Sequence, residues 1–241
     1  MPVQFDNDWS NLKKKLLHMG AMTEQMIRDI VSVVENRQPN LMDEISRKEQ
    51  QMDILQNEID EETVRMITVH TPVAGDLRML IVAARINAEL ERIGDQVMNV
   101  GFYANNLLTA EHPEPVNAIP DLAQMAGDMV SAALDAFTQK SGQTARVVVR
   151  ADNNVDELHD QIFRKLMARA AESSKAVTGL LELILIARSF ERIADHAVSI
   201  AEDVIYMVEA KNIRHSHDTN VNNHEKNAQS QKHSTENQTG A

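Results

Sequence analysis

A five-residue pattern, Glu-Arg-Ile-x-Asp, stands at residues 91–95 and again one hundred residues later at 191–195. The neighbours agree in type: Leu90 with Phe190, Met98 with Val198, Val100 with Ile200. A motif that recurs in the same apolar setting marks an internal duplication, and a duplicated chain is expected to fold as two copies of one supersecondary unit. The repetition reaches further back. Met22-Thr-Glu-Gln-Met26 aligns with Met125-Ala-Gly-Asp-Met129, and Glu49-Gln-Gln-Met-Asp53 with Asp152-Asn-Asn-Val-Asp156, both at an offset of 103. The offset has fallen to 100 at the later motif, so three residues are lost in between, most simply at the turn near 70–75.

Apolar spacing says what the unit is. Leu12, Leu16, Met19, Met22, Met26, Ile30 and Val33 recur at intervals of three and four, one stripe of a helix over about 8–37. Pro39 marks its stop. A second helix over about 41–69 carries Ile45, Met52, Leu55, Ile59 and Met66, and Thr71-Pro72 breaks it. A third, about 73–108, carries Leu77, Leu80, Ile81, Ala84, Ala88, Ile93 and Val97. Three prolines within 111–120 make that stretch the linker between halves. Helices over about 121–140, 145–171 and 175–211 follow, with Ser141-Gly142 as a stop and Thr144 as the cap of the fifth. Short connections make neighbours antiparallel. The predicted fold is therefore all-α, two tandem three-helix bundles over 1–110 and 121–211. Residues 212–241 are rich in Asn, His, Gln, Ser and Thr, hold four histidines and have too little apolar surface to offset ordering, so a disordered tail is expected there.

Bulk composition narrows the function. With 36 acidic against 24 basic residues the formal net charge is −12, which argues against nucleic-acid binding and against unaided adhesion to anionic lipid. The absence of cysteine excludes disulfides, thiolate metal sites and cysteine nucleophiles. Low aromatic content and few glycines favour helices over sheet. No secretory signal and no apolar run long enough to span a bilayer is apparent, so a cytoplasmic location is expected.

The acidic residues carry the only chemical pattern. Residues four apart share a helix face. Glu91 with Asp95 and Glu191 with Asp195 are such pairs on the third helix of each half; Glu49 with Asp53 and Asp152 with Asp156 are their counterparts on the second. Antiparallel neighbours would gather four carboxylates in each half, an arrangement that favours a bound cation or an acquired proton. Oxygen donors alone suit Mg²⁺, Ca²⁺, Mn²⁺ or iron rather than zinc or copper. The alternative is a solvated acidic face, and what weighs against it is the duplication of both pairs. Arg92 is expected to pair back with Glu89, and His159 and His196 are read as surface residues. A di-iron bundle would need Glu-x-x-His on two helices. Asp156-Glu-Leu-His159 is the nearest match, with Gln56 at its counterpart. No Gly-rich phosphate loop or nucleophile elbow is present, so no catalytic residue is assigned.

Glu-Arg-Ile-Gly-Asp at 91–95, Glu-Arg-Ile-Ala-Asp at 191–195 and Thr-Pro-Val-Ala-Gly-Asp-Leu-Arg at 71–78 resemble the PhoU family of phosphate-transport accessory proteins over about residues 8–211. The resemblance implies a cytoplasmic, all-helical, commonly homodimeric regulator rather than a catalyst. It would be recruited to the inner membrane face by its partners, the ATPase of the phosphate ABC transporter and a phosphate-sensing histidine kinase, and would restrain the phosphate-starvation response. It also implies metal ligation, including iron, at Glu49, Asp53, Glu91 and Asp95, and at Asp152, Asp156, Glu191 and Asp195. Ala194 for Gly94 and Ser199 for Asn99 depart from the first motif, which implies weaker binding in the second half. The other readings are a carboxylate-bridged helical metalloenzyme and a metal-free helical scaffold.

Overall fold

The computed structural model describes residues 3–36, 39–107, 118–172 and 176–213. They form six α-helices: α1 Val3–Asn36, α2 Met42–His70, α3 Ala74–Leu107, α4 Ala118–Gln139, α5 Gly142–Glu172 and α6 Val177–Glu209. One 3₁₀ turn, Pro39–Leu41, joins α1 to α2. There is no strand among the described residues, as the apolar spacing predicts. None of these helices is long and apolar enough to cross a membrane.

The stripe read from the first helix is the buried one except at Met22, which is half-buried: Leu12, Leu16, Met19, Met26 and Ile30 are all at 0% exposure. α1 begins about five residues earlier than the spacing suggested, because Phe5 is itself buried and meets the His70 ring edge-on, 5.4 Å between centroids. α2 stops where Thr71 takes a left-handed cap conformation and donates its N–H to the Ile67 carbonyl. Pro72 then lacks the N–H to go on. At α5 the cap differs from expectation. Ser141 Oγ accepts the Thr144 N–H at 3.1 Å, so Ser141, not Thr144, closes the helix start. α4 takes up at Ala118 rather than after Pro120, with Ile119 buried. The rest of the expected linker, up to 117, and the expected tail from 214 onward lie outside the described residues.

The two three-helix units are not separate beads. Their buried side chains form one continuous core, with Phe137 and Phe190 its largest fully buried members. Burying each such ring contributes about 1.5–3 kcal/mol. α1 packs on α4, where Gly20 leaves room: a Cβ there would meet Leu134 Cδ1 at 2.6 Å. α3 packs on α6, and three polar pairs set their register: Arg85 with Asp203 at 3.0 Å, Glu89 with His196 at 2.7 Å, and Asn106 with Glu182 at 3.2 Å. Numbers that rise on α3 fall on α6, so the helices run antiparallel. The repeat-related Gly94 and Ala194 lie near the midpoint, where an approximate two-fold relates the halves.

The acidic centres and the cleft between the halves

Asn87 fixes α2 against α3. It is fully buried, and its side-chain amide donates to the Gln56 carbonyl and to the Asp60 carboxylate, each at 3.0 Å. One and two turns along from that pin, Asp53 and Glu49 of α2 face Glu91 and Asp95 of α3. The electrostatics report the juxtaposition. Partial burial, then Asp53 and Asp95, push the Glu49 carboxyl above its ordinary range. Burial, then Asp95 and Asp53, do the same to Glu91, against the opposing pull of Arg92. Helix periodicity thus brings the first four predicted residues onto one surface, as the sequence implied.

The second centre is more strongly perturbed. Burial raises Asp152 to about 6, with Asp156, Asp195, Glu191 and Glu202 adding repulsion. Glu191 is raised by burial, then by Asp195 and Asp156, with Arg188 and Arg192 opposing. Asp195 is raised by burial and by Asp156, with His196 and Arg192 opposing. Glu202 was not anticipated. It lies two turns beyond Asp195 on α6 and has no carboxylate at its first-half counterpart, Phe102. The donor set of each centre is all oxygen, which suits a hard cation. Among the described residues, no three carboxylate or imidazole groups already stand at the spacing of a bound metal ion. The carboxylates of a centre would have to draw inward to ligate one together.

Gly94 and Ala194 point away from these centres. Both are buried, and a Cβ at Gly94 would meet Met52 Cε at 3.3 Å. Their difference is one of α2–α3 packing and does not alter the donors.

Between the centres, across the α3–α6 seam, lies a cleft of about 340 Å³ lined by Arg92, Asp95, Gln96, Arg192, Asp195 and His196. Beneath it sits Glu89, buried at 7% exposure. One of its oxygens accepts from Arg92 at 2.9 Å, as the sequence suggested, and the other meets His196 Nδ1 at 2.7 Å. His196 is therefore half-buried and engaged, not a surface residue. Its burial follows from Glu89, a charge set in the apolar row of Ile86, Leu90 and Ile93, which needs a partner from the opposing helix. His159 is also half-buried, with its Nε2 out of solvent. The sequence reading gives Asn87 and Asp203 no role and Glu89 only that of a partner for Arg92; the available signal is a polar residue falling on a buried stripe.

Two three-helix units that share one core and repeat one acidic surface define a duplicated helical-bundle protein. Its relatives make the class specific. The PhoU domain model matches twice, over residues 16–104 and 119–204. The phosphate-specific transport system accessory protein PhoU of Escherichia coli is 30% identical over 212 residues, 88% of each chain. A PhoU homolog of Pseudomonas aeruginosa is 32% identical over 213 residues, again 88% of each. The crystal structure of PhoU from Pseudomonas aeruginosa superposes with a TM-score of 0.83 at 31% identity, over 86% of this chain and all of that one. The PhoU of Streptococcus pneumoniae, at 18% identity, shares the fold with a TM-score of 0.80. The chain belongs to the PhoU family.

Proposed function

We propose that this protein is a non-catalytic regulator of phosphate uptake, an adaptor that couples the phosphate ABC transporter to a phosphate-sensing histidine kinase and restrains the starvation response when phosphate is plentiful. One observation carries the reading: both repeats match the family, and relatives about 30% identical over nearly their whole length bear the name phosphate-specific transport system accessory protein. Partners would bind through helix faces, in the cytoplasm, with the adaptor as a homodimer. The test is genetic. Deleting the gene should raise alkaline phosphatase output in high phosphate, and restoring it should lower that output again. Unchanged output after deletion, with the transporter and kinase genes intact, would refute the assignment.

The acidic centres support a second element of the reading: each binds a hard divalent cation or iron. Glu49, Asp53, Glu91 and Asp95 would hold one, and Asp152, Asp156, Glu191 and Asp195 the other. Such a cation would supply positive charge to carboxylates that otherwise repel and draw protons. Calorimetric titration of the chelator-treated protein with Mn²⁺ tests this. E91Q/D95N should remove about half the bound metal while leaving helicity intact. Equal binding by wild type and variant, or none by either, would mean that both centres are solvated acidic surface.

A further inference from the structure

Gly94 and Gly101 stand about two turns apart on the side of α3 that packs on α2. Each is a notch with a methionine of α2 seated in it. A Cβ at Gly94 would meet Met52 Cε at 3.3 Å and Sδ at 3.7 Å, with Met26 Cε of α1 at 3.9 Å. A Cβ at Gly101 would overlap the Met42 methyl and lie 2.7 Å from its sulfur. The second half is built otherwise. Ala194 and Ala201 take the places of the glycines, and Val155 and Ala145 those of the methionines, all four at 0% exposure.

The two interfaces respond differently to a shift of helix against helix. Methionine is unbranched and flexible, so its tip can change rotamer and keep a notch filled over a range of helix offsets. Valine is stiff at χ1 and alanine has no rotamer to change, so the second half's set packs densely at one offset. The first half also has a pivot. Fully buried Asn87 donates to the Gln56 carbonyl and the Asp60 carboxylate, each at 3.0 Å, where the second half has Ala187. Both notches lie on one side of that pin, Gly101 about 21 Å along α3. All four carboxylates of the first centre lie on the same side: Glu91 and Asp95 on α3, Asp53 and Glu49 on α2. Lys48 ties this stretch of α2 to Asp29 of α1 at 2.7 Å, through a flexible stem that can follow a small displacement.

We infer that α2 is a lever built into the first half. It pivots on the Asn87 pin while Met52 and Met42 re-pack in their notches. The part of α2 beyond the pin shifts by about 1–2 Å against α3, the usual scale of helix shear. That motion changes the spacing between Glu49 and Asp53 on one side and Glu91 and Asp95 on the other. It is the adjustment required by carboxylates that do not yet stand at the spacing of a bound metal ion. α5 lacks the counterparts of both pin and notches, and its packing on α6 holds the second centre at one spacing. The lever itself needs no cation. Its closure on one rests on the reading of the centres as cation sites, and the two are tested apart.

The test is nuclear magnetic resonance relaxation dispersion, which reads microsecond-to-millisecond motion, on the full chain labelled at backbone amides and methionine methyls. In chelator, dispersion is expected at the Met42 and Met52 methyls and in the α2 amides before Gln56, and not in the α5 amides before His159. Two exchanges of residues between the halves follow. M52V/G94A gives the first half the packing of the second and should abolish the α2 dispersion. V155M/A194G does the reverse and should create dispersion in α5. Circular dichroism checks that each variant keeps its helicity. Adding Mg²⁺ to the wild type should quench the α2 dispersion and shift amide resonances along α2, whereas in α5 only those beside the carboxylates should move. The inference is overturned if α2 and α5 of the wild type show equal dispersion or none, or if either variant keeps its helicity and moves like wild type. It is overturned too if Mg²⁺ binds the first centre by calorimetry and the α2 dispersion persists. No binding of Mg²⁺ by calorimetry refutes the cation reading alone, and the metal-free comparison of α2 with α5 still decides the lever.

Discussion

Replacing Asp152 by Asn should stabilise this protein, and only above mildly acidic pH. In the folded chain the Asp152 carboxyl is raised to about 6, against 3.8 for an unburied aspartate. The folded state therefore prefers the protonated form. The stability this preference confers is full below pH about 4 and is lost as pH rises through about 6. A tenfold change in proton affinity is worth about 1.4 kcal/mol, so an unscreened group would cost about 3 kcal/mol at pH 8. Asp152 is only half-buried, and solvent screening reduces this to about 1–2 kcal/mol. An asparagine keeps the shape and cannot ionise. For a chain of this size each kcal/mol shifts Tm by about 2–4 °C. D152N should thus melt about 2–8 °C above wild type at pH 8 in chelator and within about a degree of it at pH 4. The assay is thermal unfolding by circular dichroism at both values. A shift of equal size at pH 4 and pH 8, or a lower melting temperature at pH 8, would refute the account of the second centre as mutually repelling, partly buried carboxylates.

Other consequences are as direct. Phe190→Ala deletes a fully buried ring from the shared core and should cost about 3–5 kcal/mol in denaturant unfolding, still as one transition because the halves share that core. Arg85→Ala removes the α3 partner of Asp203, buried at 1% exposure, and should cost about 1–3 kcal/mol; exchange protection of α6 amides near residue 203 should fall with it. Gly20→Leu should be far worse than Gly75→Leu by thermal melting. The first drives a side chain into Leu134 at the α1–α4 contact, while the second meets nothing within 4 Å.

Helix number, order and the duplication were readable because each is written in a period. A stripe at intervals of three and four fixes a helix whatever it packs on, and two stripes with the same punctuation fix a repeat. The acid pairs were readable for the same reason, since four residues along a helix is one face. Where the helices end was less legible. α1 gains its first turn from Phe5 burying against His70, a contact between residues far apart in sequence. α5 gains its start from Ser141, one of two hydroxyl residues three apart that both suit a cap. On α3 the apolar spacing marks one row too many, because Ile81, Ala84 and Ala88 have the composition of core positions while the turn of the helix leaves them half-buried beside α2.

The seam between the halves was not legible, and the duplication itself explains why. A repeat predicts two alike units, but it is silent on how they meet, because contacts across an approximate two-fold need not be symmetric. Here they are not. Glu89 reaches His196, whereas the residues at the mirror positions, Ser189 and Gln96, carry no charge. Arg85 reaches Asp203, while the counterparts are Leu185 and Tyr103. Asn87 pins α2 to α3, and Ala187 offers α5 no such bond. Each divergence adds a directional polar contact to the first unit's third helix and leaves small or apolar packing in its counterpart. α3 is thereby tied to α2 through Asn87 and to α6 through Arg85 and Glu89, all within two turns. Any force applied at the first acidic centre, one turn further along α3, acts on the element that holds the halves in register. Binding at the second centre acts on α6, which supplies His196, next to Asp195, and Asp203, next to Glu202, to the same seam. The first centre therefore bears on the seam through α3 and its tie to α2, and the second through the α6 partners of the same bonds.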